Sequence, residues 1–199
     1  SPAMLTLLLA LAVTAPADTI PALWTPHRVY DAKHKRYADL EQMAAEAASS
    51  DVIFFGEQHD DGNAHRLERS LLEAVSRRRS DVIVSLEMFE RDVQGLLDDY
   101  LAGKIDEPTF LKTARPWPNY NADYRPLVEF AKAKGWRVIA ANVPRPIASA
   151  VSKQGLAAAI GALPDSSRRW AAADFGCPKD DYFERFGQSM GGHGPSTPE

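Results

Sequence analysis

The sequence predicts an α/β fold, a mostly parallel sheet flanked by helices. Three observations point to it. Short continuous apolar runs recur, "DVIFF" at 51–55, "DVIVSLEMF" at 81–89 and "WRVIAAN" at 136–142. Such runs are how strands buried on both faces read. Stretches with helical spacing alternate with them, which is the pattern of layered βα units with right-handed crossovers. The chain has 199 residues, long enough for one sizeable domain with its own core.

The elements follow in order. "MLTLLLALAVTAPA", 4–17, is an apolar run ending in small residues. It is too short to span a bilayer comfortably. It reads as the hydrophobic part and cleavage region of a secretory signal lacking its basic leader; the alternative is a buried element at the start of the domain. Residues 1–17 are therefore set apart as a signal remnant, 18–193 as a single α/β domain, and 194–199 as a flexible tail. Residues 18–37 mix prolines with aromatic and basic residues and predict loop with one or two short extended pieces. In "YADLEQMAAEAASS", Leu40, Met43, Ala44 and Ala47 keep helical spacing, and alanine favours helix.

After the 51–55 strand, Asp60, Asp61 and Asn63 are turn or N-cap residues for a helix starting near Ala64. Its apolar face carries Ala64, Leu67, Leu71, Leu72 and Val75. A helix is predicted over 91–102, and a short one opened by Asp106 with Pro108 in its first turn. "RPWPNY", 115–120, reads as loop because its prolines break both regular patterns. "ADYRPLVEFAKAKG" is helix, stopped at Gly135. "DDYFERFGQSMG" is a last helix ending at glycines. Three strands make a narrow sheet, so either more strands hide in 5–37 or the chain is part of a longer protein, truncated at its C-terminus.

Composition excludes some functions. The chain is 45% hydrophobic and 25% charged, with a formal net charge of -4. No long basic run offers a footprint for nucleic acid. The "SRRR" cluster at 76–79 suits a helix C-terminus. With Cys177 alone, neither an intrachain disulfide nor a thiolate metal cluster can form.

The candidate chemistry lies at the strand exits. The first strand leaves through "GEQHDD", placing Glu57 and His59 past its carboxyl end. The second carries Glu87; the third ends at Asn142 and continues to Arg145. If the strands are parallel, these five gather along the edge where open α/β folds place ligands. Each has a plain structural role available as a cap or an ion-pair partner. Together they are costly polar groups that need a network or a ligand. Glu57, His59, Glu87 and Arg145 are the catalytic candidates. A carboxylate could fix a histidine tautomer or act as a base, and Arg145 could hold anionic oxygen. Zinc on His59, His65 and a glutamate is conceivable. The histidine-glutamate-histidine spacing of common zinc hydrolases is lacking, so no metal ligand is assigned. Haem would need an apolar slot, an axial ligand and a cation for its propionates. Phe89, Trp117, Tyr120, Tyr124, Tyr182 and Phe183 could contribute to the slot.

Four segments carry a resemblance: "VIFFGEQHDDGNAH", "VIVSLEMFERDVQGLLDDYLAGKIDE", "WPNYNADYRPLVEFAKAKGWRVIAANVPR" and "DDYFERFGQSMGGH". Together, over roughly 28–193, they resemble the ChaN-like haem-binding family of bacterial proteins, within the larger group of Tiki, TraB and erythromycin esterase proteins. The resemblance implies a mostly parallel α/β core in an exported protein, periplasmic or attached to the cell envelope. It implies iron or haem handling, haem as cofactor, and a homodimer around ferric haem with a tyrosine on the iron. Membrane-associated haem transport components would be partners. Tyr120, Tyr124 and Tyr182 are the ligand candidates, with His65, Asn142, Arg145 and His193 as further cofactor-binding candidates. In the wider group, residues matching Glu57, His59 and Glu87 can belong to hydrolytic sites. An esterase- or peptidase-like hydrolase, metal-dependent or not, is the alternative. Family members usually continue well past the position of His193; here the chain stops six residues later.

Overall fold

The computed structural model describes residues 28–172, 176 and 178–190. The N-terminal apolar segment, Cys177 and His193 lie outside the described residues. An antiparallel hairpin comes first, β1 (Val29–Asp31) and β2 (Arg36–Ala38), with Tyr30 opposite Tyr37. These are the two short extended pieces expected before residue 38. Helix α1 (Leu40–Ala48) follows, N-capped by the Asp39 side chain on the Gln42 amide. Helix α2 (Gly62–Ser76) is capped by Asp61 on the Asn63 amide. Small Ala44 lets α1 close onto Leu71, Ala74 and Val75 of α2.

Strand β3 (Ile83–Glu90) runs into a single 3-10 turn (Arg91–Val93) and then α3 (Gln94–Leu101). Helix α4 (Glu107–Ala114) opens on Asp106, whose carboxylate accepts from the Thr109 amide at 3.0 Å. A π-helical turn (Tyr120–Tyr124) leads into α5 (Arg125–Lys134), which ends at Gly135 with φ of 67°. That positive φ is where glycine carries no Cβ penalty. Strand β4 (Arg137–Asn142) is parallel to β3, pairing Ile83 with Arg137 through Leu86 with Ala140. The register then shifts, and Glu90 meets Asn142. Helices α6 (Arg145–Gln154), α7 (Leu156–Gly161), α8 (Asp165–Arg168) and α9 (Asp181–Met190) complete the described chain.

The expected sheet-dominated α/β fold is not what forms. Among the described residues the protein is mainly helical, with two separate two-stranded sheets, one parallel and one antiparallel. The difference lies in "DVIFF". Residues 52–58 have no regular secondary structure and join no sheet. Val52, Ile53 and Phe54 are 66%, 43% and 94% exposed, as is 58% of Ile83 at the start of β3. A cleft of about 460 Å3 opens here, lined by Val52, Ile53 and Phe55, by Leu71 and Val75 of α2, and by Ile83 and Val84 of β3. Neighbouring strands must approach to about 4.8 Å to bond. An apolar run announces burial, but it does not guarantee a partner at that distance.

The main core lies between the β3–β4 pair and α3, α4 and α5. Phe89, Phe110, Leu97, Leu127, Val128 and Val138 are its largest fully buried side chains. Phe110 stacks on Tyr100 with centroids 4.7 Å apart and packs against Phe89 at 5.5 Å. Trp136 is fixed by its indole N–H donating to Ser80 O at 2.7 Å. Gln94 does unusual work on β4. Its side-chain amide donates to Val138 O at 2.9 Å, and its Oε1 accepts from the Ala140 amide at 2.7 Å. One side chain thus imitates a residue of a third strand and satisfies β4 groups that would otherwise be orphaned. No described helix is long and apolar enough to cross a membrane.

Gln94→Ala should destabilise the protein by about 1–3 kcal/mol, the cost of leaving buried backbone groups unpaired. Urea unfolding followed by circular dichroism measures it, and a midpoint unchanged from the parent would show that β4 does not depend on this contact.

Candidate functional site

The functional candidates gather where the irregular 52–58 segment turns into α2. Asp61 caps that helix, which places His65 in its first turn and Glu68 one turn on, on the same face. His65 is 3% exposed, the one charged or polar residue buried among the described residues. Its Nε2 lies 3.2 Å from His59 O. A carbonyl only accepts, so Nε2 carries a proton and Nδ1 points the other way.

Nδ1 faces two carboxylates. Glu57 Oε2 is 2.8 Å away and Glu68 Oε2 3.8 Å. Despite that closeness, Glu57 Oε2, His65 Nδ1 and Glu68 Oε2 are all buried without a hydrogen-bond partner among the described residues. The 2.8 Å approach is off the line that a hydrogen bond needs. The other oxygen of Glu57 is well used. Oε1 accepts from the Tyr124 hydroxyl and lies 3.1 Å from His59 Nδ1.

The π-helical turn closes the site from above. Asn119, just before it, donates to His59 O at 2.7 Å and to Asp123 Oδ2 at 2.8 Å. Trp117 packs edge-on against His59 at 4.5 Å, and Tyr124 against His65 at 4.8 Å. The wider π turn brings both Tyr120 and Tyr124 inward, and both are buried. Turns of this kind occur often at functional sites.

Burial and neighbouring charge tune these groups. Burial, then the adjacent Glu57 carboxylate, pushes the Glu68 carboxyl up to about 7. Tyr124 is raised far above the usual phenol range by burial and by its bond to Glu57. Tyr120 is raised too, mainly by burial, and its hydroxyl has no partner among the described residues.

The structure therefore brings together Glu57, His59, His65 and Tyr124 from the residues singled out in the sequence. Tyr120 lies in the adjoining core, its ring 6.0 Å from Phe89. Glu87 and Arg145 are exposed and make no side-chain hydrogen bond or ion pair among the described residues. Asn142 is half-buried at the register shift of the β3–β4 pair. Tyr182 is 71% exposed on α9. Glu68, Asn119 and Asp123 escaped the sequence reading. For Glu68 a signal existed, since it stands three residues after His65 on a helix. Asn119 sits in a proline-rich loop with no periodicity to mark it.

The three orphaned atoms of Glu57, His65 and Glu68 lie within 4.8 Å of one another, near enough for a single metal ion. A second group of that kind, Asp31, His34 and Glu46, is largely exposed.

The site is a polar cluster buried under an aromatic turn in a mainly helical protein, an arrangement compatible with more than one role. The match to known families narrows it. The family described as haem-binding uptake, Tiki superfamily, ChaN, matches residues 43–199, and the chain belongs to it. Neither the search of curated proteins nor that of solved structures gives a match.

The Glu68 carboxyl has a pH signature. Its folded value, about 7, lies above its ordinary 4.5. The folded state then holds this proton more tightly, so its stabilising share is complete below about pH 4.5 and is lost as pH rises to 7. Chelator-treated protein should lose thermal stability over that window more steeply than Glu68→Gln, whose amide stays neutral. Parallel melting curves at pH 5 and pH 8 check this; equal slopes would remove the burial of Glu68 as the cause.

Proposed function

We propose that this chain binds ferric haem through the Tyr182 phenolate, in an exported protein that handles haem or iron. Family membership supports haem binding in general. The observation that carries the choice of tyrosine is the surface of α9. Asp180 caps this helix, its carboxylate accepting from the amides of Tyr182 and Phe183. Tyr182 and Phe186 stand one turn apart and are 71% and 53% exposed. An exposed aromatic stripe with a reachable hydroxyl fits one face of a porphyrin, and a phenolate suits ferric iron. Lys179, whose ammonium lies 5.9 Å over the Phe183 ring, and exposed Arg185 supply cations for propionates. Tyr120 and Tyr124 fit less well, because burial holds both phenols strongly in the protonated form. An exposed stripe of this kind also suits a haem shared between two copies of the chain, and Arg145 remains a further anion contact at the start of α6.

One observation favours a second reading, a hydrolase. His59 is 58% exposed at its side chain and its Nδ1 is held by Glu57. That leaves Nε2 directed away from the carboxylate, the arrangement of a general base steadied by an acid. Glu87 and Arg145 would have to be recruited by substrate.

Titration of ferric haem into the purified protein tests both. A saturating visible band is expected, lost in Tyr182→Phe and kept in Tyr120→Phe and Tyr124→Phe. A featureless, non-saturating titration would overturn haem binding. For the hydrolase, Glu57→Gln should lower turnover of a responsive ester or amide by about 100-fold or more in a folded protein; undiminished turnover would dismiss that role.

A further inference from the structure

We infer that Glu57, His65 and Glu68 form a binding site for one divalent first-row metal ion, separate from the haem surface on α9. The first reason is the state of the donor atoms. Among the described residues, only four side-chain polar atoms are buried without a hydrogen-bond partner. Three of them, Glu57 Oε2, His65 Nδ1 and Glu68 Oε2, point at one another. Burying polar atoms unpaired is costly. Three such atoms converging on one point indicate that something positive belongs between them.

The second reason is the tautomer of His65. Its Nε2 proton is committed to His59 O at 3.2 Å. Nδ1 is therefore turned toward two carboxylate oxygens, 2.8 and 3.8 Å away. The off-line geometry denies them a good shared proton. A metal ion turns all three into ligands. A backbone carbonyl accepting from the far nitrogen is the usual way a metal-bound imidazole is oriented. Here that carbonyl is itself fixed by Asn119 at 2.7 Å.

Distances and charge agree. Donors on one tetrahedral ion, at bond lengths of about 2.0–2.2 Å, lie roughly 3.3–3.6 Å apart. The separations here, 2.8 and 3.8 Å with all within 4.8 Å, bracket that range. Two carboxylates and a neutral imidazole carry two negative charges, which a divalent ion cancels. One nitrogen and two oxygens suit zinc or manganese better than a soft ion. Three protein donors leave a position open to water or an exogenous ligand, unlike the closed four-ligand structural sites. Glu57 is the hinge of the site, because Tyr124 and His59 hold its second oxygen.

The test uses haem-free, chelator-stripped full chain, titrated with zinc chloride and separately with manganese chloride by calorimetry, with melting temperature as a second readout. One ion per chain, saturating and raising the melting temperature, is expected for at least one metal. Glu68→Gln, nearly isosteric and neutral, should weaken binding more than about tenfold, and His65→Gln likewise. His34→Ala, in the exposed Asp31–His34–Glu46 group, should leave the affinity unchanged. Non-saturable uptake of both ions would overturn the site. So would full affinity in Glu68→Gln, or affinity lost only in His34→Ala. Glu68→Gln decides the matter even if His65→Gln fails to fold. Tyr182→Phe should bind the metal like the parent, so failure of the haem reading leaves this result standing.

Discussion

The contact that the site depends on is the one Glu57 makes with three partners at once. The segment that carries it, residues 52–58, belongs to no sheet and has no backbone ladder to place it. Side chains do that work. Glu57 reaches Tyr124 through one oxygen and faces His65 with the other, while His65 and Asn119 both grip the carbonyl of His59. Removing Glu57 would take away the tie to Tyr124 and leave the His59 carbonyl, gripped by His65 and Asn119, as the remaining hold. A position normally fixed by strand pairing is here fixed by a polar cluster, and structure and chemistry come from the same atoms.

That arrangement explains what the sequence could and could not show. Helix ends were legible because caps are local. Asp61, Asp106 and Gly135 each act within three or four residues of chain, and each stands where its chemistry predicts. The parallel pairing of β3 with β4 was legible from two apolar runs around a helical stretch. The sheet as a whole was not. "DVIFF" has the composition of a buried strand, but strand membership is a property of two segments, and the cleft beside Ile83 separates them. Local pattern cannot report a distance to a remote edge.

The site divides in the same way. Glu57, His59 and His65 were visible as a dense polar run after an apolar one. Tyr124 joins them through a bond spanning 67 residues, and only folding reveals that it is a partner of Glu57. Glu87 and Arg145 entered through the assumption of a continuous parallel sheet with all exits on one edge. Once the first strand is absent, nothing compels them toward Glu57. Glu68 is the reverse case. Its three-residue spacing from His65 is a helical signal, but a lone acid on a polar helix usually means a solvated face, and its burial is what changes the meaning.

The two regions that bear chemistry differ in a way that constrains their roles. On α9, Tyr182 and Phe186 face outward and can meet a large flat ligand without rearranging the core. Around His65 the walls are aromatic and two of the three donors are carboxylates. A porphyrin could not enter without displacing Trp117 and Tyr124, whose rings sit 5.7 Å apart against the two histidines. A small cation could. Retaining two carboxylates beside a buried imidazole costs folding free energy unless a counter-charge is present. On the readings proposed above, the aromatic surface and the acidic cluster would answer to ligands of opposite kind, one broad and apolar, the other compact and positive. The π-helical turn explains why the second is shielded, since it carries Tyr120 and Tyr124 inward rather than offering their phenols to the surface.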